Sequence, residues 1–161
     1  MTDVLTTAQR QLNMSRIRSK DTKPEMLVRR GLHSRGLRYR LHNHKLPGRP
    51  DLVFPKYHTV AFIHGCFWHA HGCALSKLPA TRQDFWKKKL EGNAARDWRA
   101  IAALQTDGWS VLVMWECALR GPSRLSTGAA LDGAASYIRQ SPGSLLMEIA
   151  GESGKRKDTL R

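Results

Sequence analysis

The chain has 161 residues, which is enough for one compact domain and short for two. Its formal net charge of +14 favours a partner with many phosphates, so nucleic acid is the leading candidate. An anionic membrane surface is the alternative, but the basic residues are scattered among Trp, Gly and Pro and do not form one face of an amphipathic helix. No apolar run can cross a bilayer and no secretory signal is recognisable, so we expect a cytoplasmic protein.

The N-terminal part of the chain is polar and basic. Residues 1–50 hold 12 Lys and Arg against three acidic side chains, and residues 1–20 have few apolar anchors. We expect residues 1–20 to form a loose basic arm that orders on a polyanion. A helix over about 23–35 follows, with Thr22 and Glu25 in capping-box spacing and Gly36 as its stop.

Three apolar segments then predict β-strands. Alternation at Leu37, Tyr39 and Leu41 indicates a half-buried strand before a polar loop over 42–50. The runs 51–54 and 59–64 are joined by a short connector, which predicts an antiparallel hairpin. If residue numbers across this ladder sum to about 115, Asp51 lies opposite His64.

The C-terminal half predicts a loop, a long helix, a strand and a weaker helix. Residues 65–80 lack periodicity, and a helix capped by Thr81 runs to about Asp107. The buried stripe of this helix comprises Leu90, Ala94, Ile101 and Leu104. The edge beside the stripe, which can face a cleft, carries Trp86, Asn93 and Asp97.

The strand over 109–115 is nearly all apolar, so it should be covered on both faces, with Trp109 and Trp115 in the core. A weak helix is expected near 124–139, followed by a mobile tail. The predicted organisation is therefore a basic arm over 1–20, one catalytic domain over 21–140 and a flexible basic tail over 141–161.

All three cysteines fall in a pattern that fits a metal site. An odd number of cysteines without a secretory signal favours metal ligation over disulfides. Three thiols and one imidazole suit tetrahedral zinc in a closed structural site: Cys66, His71, Cys73 and Cys117. Cys117 as a merely packed thiol is the alternative, and spacing does not decide whether His71 or His69 is the imidazole ligand.

A second group of polar residues is expected where the predicted hairpin ends. Asp51 can hold a hard divalent cation through oxygen, although a lone Asp at a strand start is often only a cap. Other polar residues can converge there: Glu25, Asp97, and either His64 or His69 as acid or base. These are the groups that metal-dependent phosphodiester cleavage requires.

Several large apolar residues lie close to these positions in the sequence. Phe67, Trp68 and Trp86 are core candidates, but they are also suited to wedging between base steps of DNA. Met14, among the arginines of the arm, is a second candidate wedge or a simple anchor for the arm.

Four sequence motifs carry a family resemblance. The chain resembles the very short patch repair (Vsr) endonucleases over about residues 10–121, at LPGRPD (46–51), HGCFWH (64–69), PATR (79–82) and WECALRG (115–121). The resemblance implies a restriction-endonuclease-like fold, with a mixed central sheet flanked by helices. It also implies nicking of one DNA strand 5′ to the T of a T:G mismatch, the product of 5-methylcytosine deamination.

The resemblance also implies roles for individual residues. Asp51 and the main-chain carbonyl of Ile63 would bind Mg²⁺, with two ions in the working site, and zinc would take the Cys₃His set. The remaining active-site positions are Glu25, His64, His69 and Asp97. The intercalating aromatics match Phe67, Trp68 and Trp86, while Lys89 and Asn93 match positions near the mispair.

Two alternatives to a mismatch-specific nicking enzyme remain open at the level of sequence. One is a restriction-like nuclease that cuts matched DNA, and the other is a zinc-stabilised DNA-binding protein without catalysis. The expected partner is duplex DNA with a T:G mismatch, with possible nick-processing proteins downstream, and we expect a monomer.

Overall fold

The computed structural model describes residues 5–16, 20–141 and 143–152. Within them the chain forms a five-stranded sheet flanked by helices, which confirms the predicted mixed α/β class. The strands are β1 (Arg40–Leu41), β2 (Leu52–Phe54), β3 (Thr59–His64), β4 (Ser110–Trp115) and β5 (Leu146–Ile149). The helices are α1 (Thr7–Ser15), α2 (Lys23–Ser34), α3 (Gln83–Thr106), α4 (Glu116–Leu119) and α5 (Thr127–Gln140).

The sheet is mixed, with strands in the order β1-β2-β3-β4-β5. The β1-β2 and β2-β3 pairs are antiparallel, whereas the β3-β4 and β4-β5 pairs are parallel. Because β3 and β4 are parallel and in register at His64 and Trp115, the residues that follow both strands emerge at the same edge of the sheet. The predicted zinc ligand Cys66 lies two residues after His64, and Cys117 lies two residues after Trp115.

The two faces of the sheet carry separate parts of the core. One face, which includes Phe54 and Leu112, packs against α2 and α5. The other, which includes Val53 and Phe62, packs against α3. All six residues of β4 are buried, as predicted for an interior strand. Alternation along β3 places His64 on the same face as Phe62, so its imidazole lies on the α3 side.

The hairpin register differs from the sequence prediction. Leu52 pairs with Ala61 and Phe54 with Thr59, so paired numbers sum to 113 and not to 115, and Asp51 does not lie opposite His64. The connector Pro55–Tyr57 forms a 3₁₀ turn that ends with His58 in the left-handed region. Its residues are therefore not available for the strand pairing that the sequence predicted. A shift of two keeps every side chain on its face, so Asp51 still belongs to the face of Val53 and His64.

Other predicted elements need correction. The predicted strand over 37–41 is reduced to Arg40–Leu41, both exposed, while Leu37 is buried just after the turn that ends α2. Arg82, not Thr81, occupies the N-cap of α3, with its backbone in the left-handed region. It makes no side-chain cap bond, because a guanidinium has no acceptor for the helix N–H groups.

The two ends of the chain are more regular than predicted. The described part of the arm is helical, since Thr6 and Gln9 form a capping box at the start of α1. The start of the predicted tail forms β5, which pairs with β4. Trp109, predicted as core, is half-buried beside β4 and stacks on His58 with ring centroids 3.8 Å apart. The predictions for 1–4, 17–19, 142 and 153–161 lie outside the described residues.

Candidate active site and metal centre

The carboxylate of Asp51 is held at the start of β2 by the neighbouring strand. The Ile63 N–H donates to Asp51 Oδ2 over 2.8 Å. Burial raises the pKa of Asp51 to about 6; the Ile63 hydrogen bond opposes this, the nearby charge of Glu25 adds to it, and those of His42 and His69 lower it. A half-buried carboxylate with acidic and imidazole neighbours has the chemistry of a ligand for a hard divalent cation.

Glu25 reaches this region from the N-terminus of α2 and is only 2 % exposed. Its Oε2 accepts from the Asp21 N–H at 3.0 Å, and its Oε1 lies 3.1 Å from His42 Nε2 and 3.8 Å from Arg29 Nη1. His42 also donates its own N–H to the Asp51 carbonyl at 3.2 Å. His42 therefore connects the Glu25 side chain to the chain at Asp51, a role that the sequence analysis missed because the loop over 42–50 has no recognisable pattern.

His64, His69 and Asp97 form a second cluster at the end of β3, with a ligand atom from each within 4.8 Å of the others. The His64 and His69 rings stack in parallel, with centroids 3.8 Å apart and an interplanar angle of 4°. Asp97 Oδ2 lies 2.5 Å from His69 Nδ1. A carboxylate accepts hydrogen bonds, so His69 Nδ1 is the donor in this contact, and in the neutral form of the ring the lone pair then lies on Nε2.

A cavity of about 540 Å³ opens beside this cluster. Its walls include His64 and Asp97, two apolar residues of α3, and the guanidinium-bearing residues Arg49 and Arg96. A basic cavity next to paired imidazoles suits a phosphodiester group.

The three cysteines and His71 come together between the ends of β3 and β4. Their ligand atoms lie within 4.8 Å of one another, and three of the four residues are buried. His71, and not His69, belongs to this group, because the turn that follows Cys66 points the two imidazoles to different clusters. The Cys117 N–H donates to Cys66 Sγ and the Gly151 N–H to Cys117 Sγ, each at 3.3 Å.

The thiols differ in acidity. Burial raises the pKa of the Cys66 and Cys117 thiols. Burial also acts on Cys73, but hydrogen bonds from the Leu75 N–H and the Ser76 hydroxyl outweigh it, so the pKa of Cys73 lies below its ordinary value. Buried thiols that accept main-chain N–H bonds, grouped with an imidazole and without an acidic residue, fit a closed zinc site.

The predicted aromatic residues form one cluster. The ring centroids of Phe67 and Trp86 are 5.5 Å apart and those of Trp68 and Trp86 are 6.1 Å apart. Lys89 Nζ lies 5.8 Å from the Trp68 ring and 5.5 Å from that of Trp86, while Asn93 Nδ2 donates to the Trp68 carbonyl at 3.0 Å. These three aromatics are half-buried, so part of each ring stays accessible.

Two further apolar residues, Phe85 and Met14, are exposed at the surface. Phe85, which the sequence analysis did not single out, is 44 % exposed beside Trp86, with their centroids 5.4 Å apart. The signal available in the sequence was its position next to Trp86, near the start of the predicted long helix. Met14 is 43 % exposed on α1, a helix in which no residue is buried.

Comparison with known proteins supplies the family. The sequence model of DNA mismatch endonuclease Vsr matches residues 2–75. The chain is 48 % identical over 129 residues to the DNA mismatch endonuclease Vsr of Escherichia coli K12, covering 80 % of this chain and 83 % of that protein. The chain belongs to the Vsr endonuclease family.

Other Vsr relatives are described as nicking enzymes. The type II nicking enzyme V.XorIIP of Xanthomonas oryzae pv. oryzae is 53 % identical over 119 residues, 74 % of this chain and 88 % of that protein. V.NmeAIP of Neisseria meningitidis serogroup A is 46 % identical over 120 residues, 74 % of this chain and 86 % of that protein. The chain is therefore a Vsr-family endonuclease, a hydrolase that acts on DNA and belongs to a DNA-repair family.

The family implies a divalent metal for catalysis. Among the described residues, three groups bring together side chains that could hold a metal ion: the Cys₃His cluster, the cluster of His64, His69 and Asp97, and a group of Asp21, Glu25 and His42. The cluster of His64, His69 and Asp97 and the sulfur-rich Cys₃His cluster lie at the same edge of the sheet. No helix in residues 5–16, 20–141 or 143–152 is both long and apolar enough to cross a membrane.

Proposed function

We propose that the protein nicks one strand of duplex DNA 5′ to the T of a T:G mismatch, leaving a 5′-phosphate and a 3′-hydroxyl. The observation that carries this proposal is the convergence of Asp51, His64, His69 and Asp97 on one edge of the sheet in a chain of the Vsr family. The names of the relatives, a mismatch endonuclease and nicking enzymes, support single-strand cleavage at a mispair.

Asp51 and the main-chain carbonyl of Ile63 are the proposed Mg²⁺ ligands, with Glu25 close to the same site. Bound magnesium supplies positive charge that neutralises the nonbridging oxygens of the scissile phosphate. Asp51 is suited to this role because its carboxylate is desolvated and is oriented by the Ile63 N–H. Arg49 and Arg96 line the adjacent cavity and are positioned to hold flanking phosphates.

His69 is the proposed general base. Asp97 fixes the Nδ1–H tautomer, which leaves Nε2 able to accept a proton from the attacking water. The parallel stack with His64 fixes the plane of the His69 ring. His64, also against Trp115, is then the proposed acid partner at the same phosphate.

The aromatic cluster is the proposed mismatch reader. Half-buried rings with exposed edges can enter an unstacked base step, and Lys89 places positive charge beside them. Asn93 fixes the backbone at Trp68. Met14 on α1 is proposed as a second wedge from the N-terminal arm.

The Cys₃His cluster is the proposed structural zinc site. It ties the aromatic loop, residues 65–80 with Phe67 and Trp68, to the ends of β3 and β4, which also carry the proposed active site. We propose a restriction-endonuclease-like domain over 21–140 that acts as a cytoplasmic monomer, with nick-processing proteins downstream.

An end-labelled duplex assay tests the function. With Mg²⁺, a duplex with a central T:G mispair should be cut in the T strand in at least one flanking context, and its matched counterpart should stay intact. Asp51→Ala should abolish nicking while zinc content and DNA binding persist. Equal cutting of both duplexes, cutting of both strands, or full activity of Asp51→Ala would contradict the proposal.

A further inference from the structure

The segment that follows α5 returns to the metal centre. β5 runs parallel to β4 with Ile149 beside Met114, so the chain leaves β5 at the edge where β4 also ends. The Glu152 N–H then donates to the Ser123 carbonyl at 2.9 Å. This segment, Leu146 to Glu152, lies outside the residues 2–75 that match the family model.

Gly151 makes the closest approach to the cysteines. Its buried main-chain N–H donates to Cys117 Sγ at 3.3 Å. A Cβ at this position would lie 2.6 Å from both the Cys117 carbonyl oxygen and the Ser123 carbonyl oxygen. Because both neighbours are backbone atoms, they cannot swing aside, so only glycine allows this N–H to reach the sulfur.

Glu148 acts three residues earlier, on Trp115. Its Oε1 accepts from Trp115 Nε1 at 3.2 Å. The Trp115 ring stacks on His71, with centroids 4.1 Å apart and an interplanar angle of 17°. It also makes an edge-to-face contact with His64, with ring centroids 5.2 Å apart. The His69 ring also lies edge-on to Trp115, with centroids 6.5 Å apart. Trp115 therefore contacts His71 of the sulfur-rich cluster and both imidazoles of the active-site cluster.

Glu148 also borders the active-site cluster directly. A narrow cavity of about 10 Å³ is lined by His64, His69, Asp97 and Glu148. A change in the Glu148 side chain therefore alters the support of the imidazole pair as well as the orientation of Trp115.

We infer that the segment Leu146–Glu152 is a positioning element of both centres: Gly151 stabilises the Cys117 thiolate through its N–H, and Glu148 fixes Trp115 between His71 and His64. The inference rests on the proposed zinc and nuclease sites. Hydrogen bonds to metal ligands fix the ligand geometry and strengthen metal binding, commonly by 10- to 100-fold.

Zinc release tests the role of Gly151. Full-length protein, purified with its zinc, is mixed with a chromogenic chelator well below the melting temperature. Gly151→Ala should release zinc at least about tenfold faster than wild type. Gly128→Ala is the matched control, since nothing lies within 4 Å of the added Cβ, and it should release zinc at the wild-type rate.

Cobalt substitution separates a contact to sulfur from general loosening. In Co²⁺-loaded protein, Gly151→Ala should shift the thiolate-to-metal charge-transfer band, whereas Gly128→Ala should leave it in place. Unchanged zinc release and an unchanged cobalt band in Gly151→Ala would overturn the inference, as would purified wild-type protein without zinc.

Glu148 is tested by single-turnover nicking. Glu148→Ala should lower the nicking rate about tenfold or more with unchanged DNA affinity, and Glu148→Gln, which keeps an acceptor oxygen, should restore most of it. A wild-type rate in Glu148→Ala, or equal loss in both variants, overturns this part. The zinc and cobalt measurements need no nicking, so they decide the inference even if the proposed mismatch specificity fails.

Discussion

At the scale of single residues, the carboxylate of Asp51, a proposed metal ligand, lowers the free energy of unfolding. Its carboxylate is desolvated at the start of β2, and burial raises the pKa of Asp51 to about 6, against an ordinary value of 3.8. Between these values the folded protein holds a proton that the unfolded chain has released. Without Mg²⁺, this group therefore lowers the free energy of unfolding as pH rises from about 4 to 6, and the loss persists above that window.

Replacing Asp51 with Asn should remove this destabilisation. Without added Mg²⁺, Asp51→Asn should be more stable than wild type at pH 8 by about 1–3 kcal/mol, and the gap should narrow towards pH 5. Urea unfolding of both proteins at each pH measures the gap, and the shared zinc centre cancels in the comparison. Asp107→Asn, at an exposed position, should show no such trend; a gap independent of pH would contradict the burial argument.

Asp97 and His69 should behave as one unit. Asp97→Asn no longer enforces the Nδ1–H tautomer of His69, so nicking should fall about 10²- to 10⁴-fold with DNA affinity retained. In a double-mutant cycle under single turnover, His69→Ala with Asp97→Asn should be no slower than His69→Ala alone. Independent, multiplying losses would reject the pairing. His58→Ala is the control. It also removes an aromatic ring, but His58 directly precedes β3 and so lies at the other end of the strand from His64.

At the scale of elements, α1 is a helix that contributes little to the core. None of its residues is buried, and its N-terminus is closed locally by the Thr6 and Gln9 capping box. Its apolar side chains Leu12 and Met14 are exposed at the surface, where a DNA partner can contact them. The described part of the predicted basic arm is therefore a surface helix without buried residues.

Deleting residues 1–16 should affect DNA binding and not folding. The deletion removes Arg10 and Arg16, so affinity for duplex DNA should fall and the slope of log affinity against log salt should decrease by up to about 2. The melting temperature should change by no more than about 2 °C. Binding titrations at several salt concentrations measure the slope, and a large loss of thermal stability would show that α1 packs on the domain. Met14→Ala in the intact chain tests the wedge separately.

At the scale of the whole molecule, the Cys₃His cluster joins parts of the chain distant in sequence. Cys66 follows β3, His71 and Cys73 lie in the aromatic loop, and Cys117 follows β4. An ion bound by all four would fix the aromatic loop against the edge that holds the proposed catalytic residues. Its loss should therefore loosen both regions together.

Removing zinc should cost the protein much of its stability. With structural zinc sites binding by about 10 kcal/mol or more, chelation should lower the melting temperature by at least about 10 °C. One equivalent of Zn²⁺, but not Mg²⁺, should restore it. Elemental analysis with calorimetry checks both the metal content and the transition, and metal-free protein with an unchanged transition would contradict a structural role.

Local patterns in the sequence were sufficient for most of the fold. Thr22, Pro24 and Gly36 set the limits of α2 to within a residue, and the apolar run over 109–115 identified an interior strand, because caps and burial depend on neighbouring residues. The four residues of the sulfur-rich cluster were also identified correctly as a set that the structure brings together.

Tertiary structure decided what local patterns cannot encode. The 3₁₀ turn after β2 moved the hairpin register by two, and pairing with β4 turned the start of the predicted tail into β5. The choice of His71 over His69 for the sulfur cluster, and the contacts of His42, Glu148 and Gly151, depend on side chains brought together across the sheet. Sequence alone determines which groups are present and which faces are buried, whereas distances between remote groups follow from strand register, which is set by the packing of the whole chain.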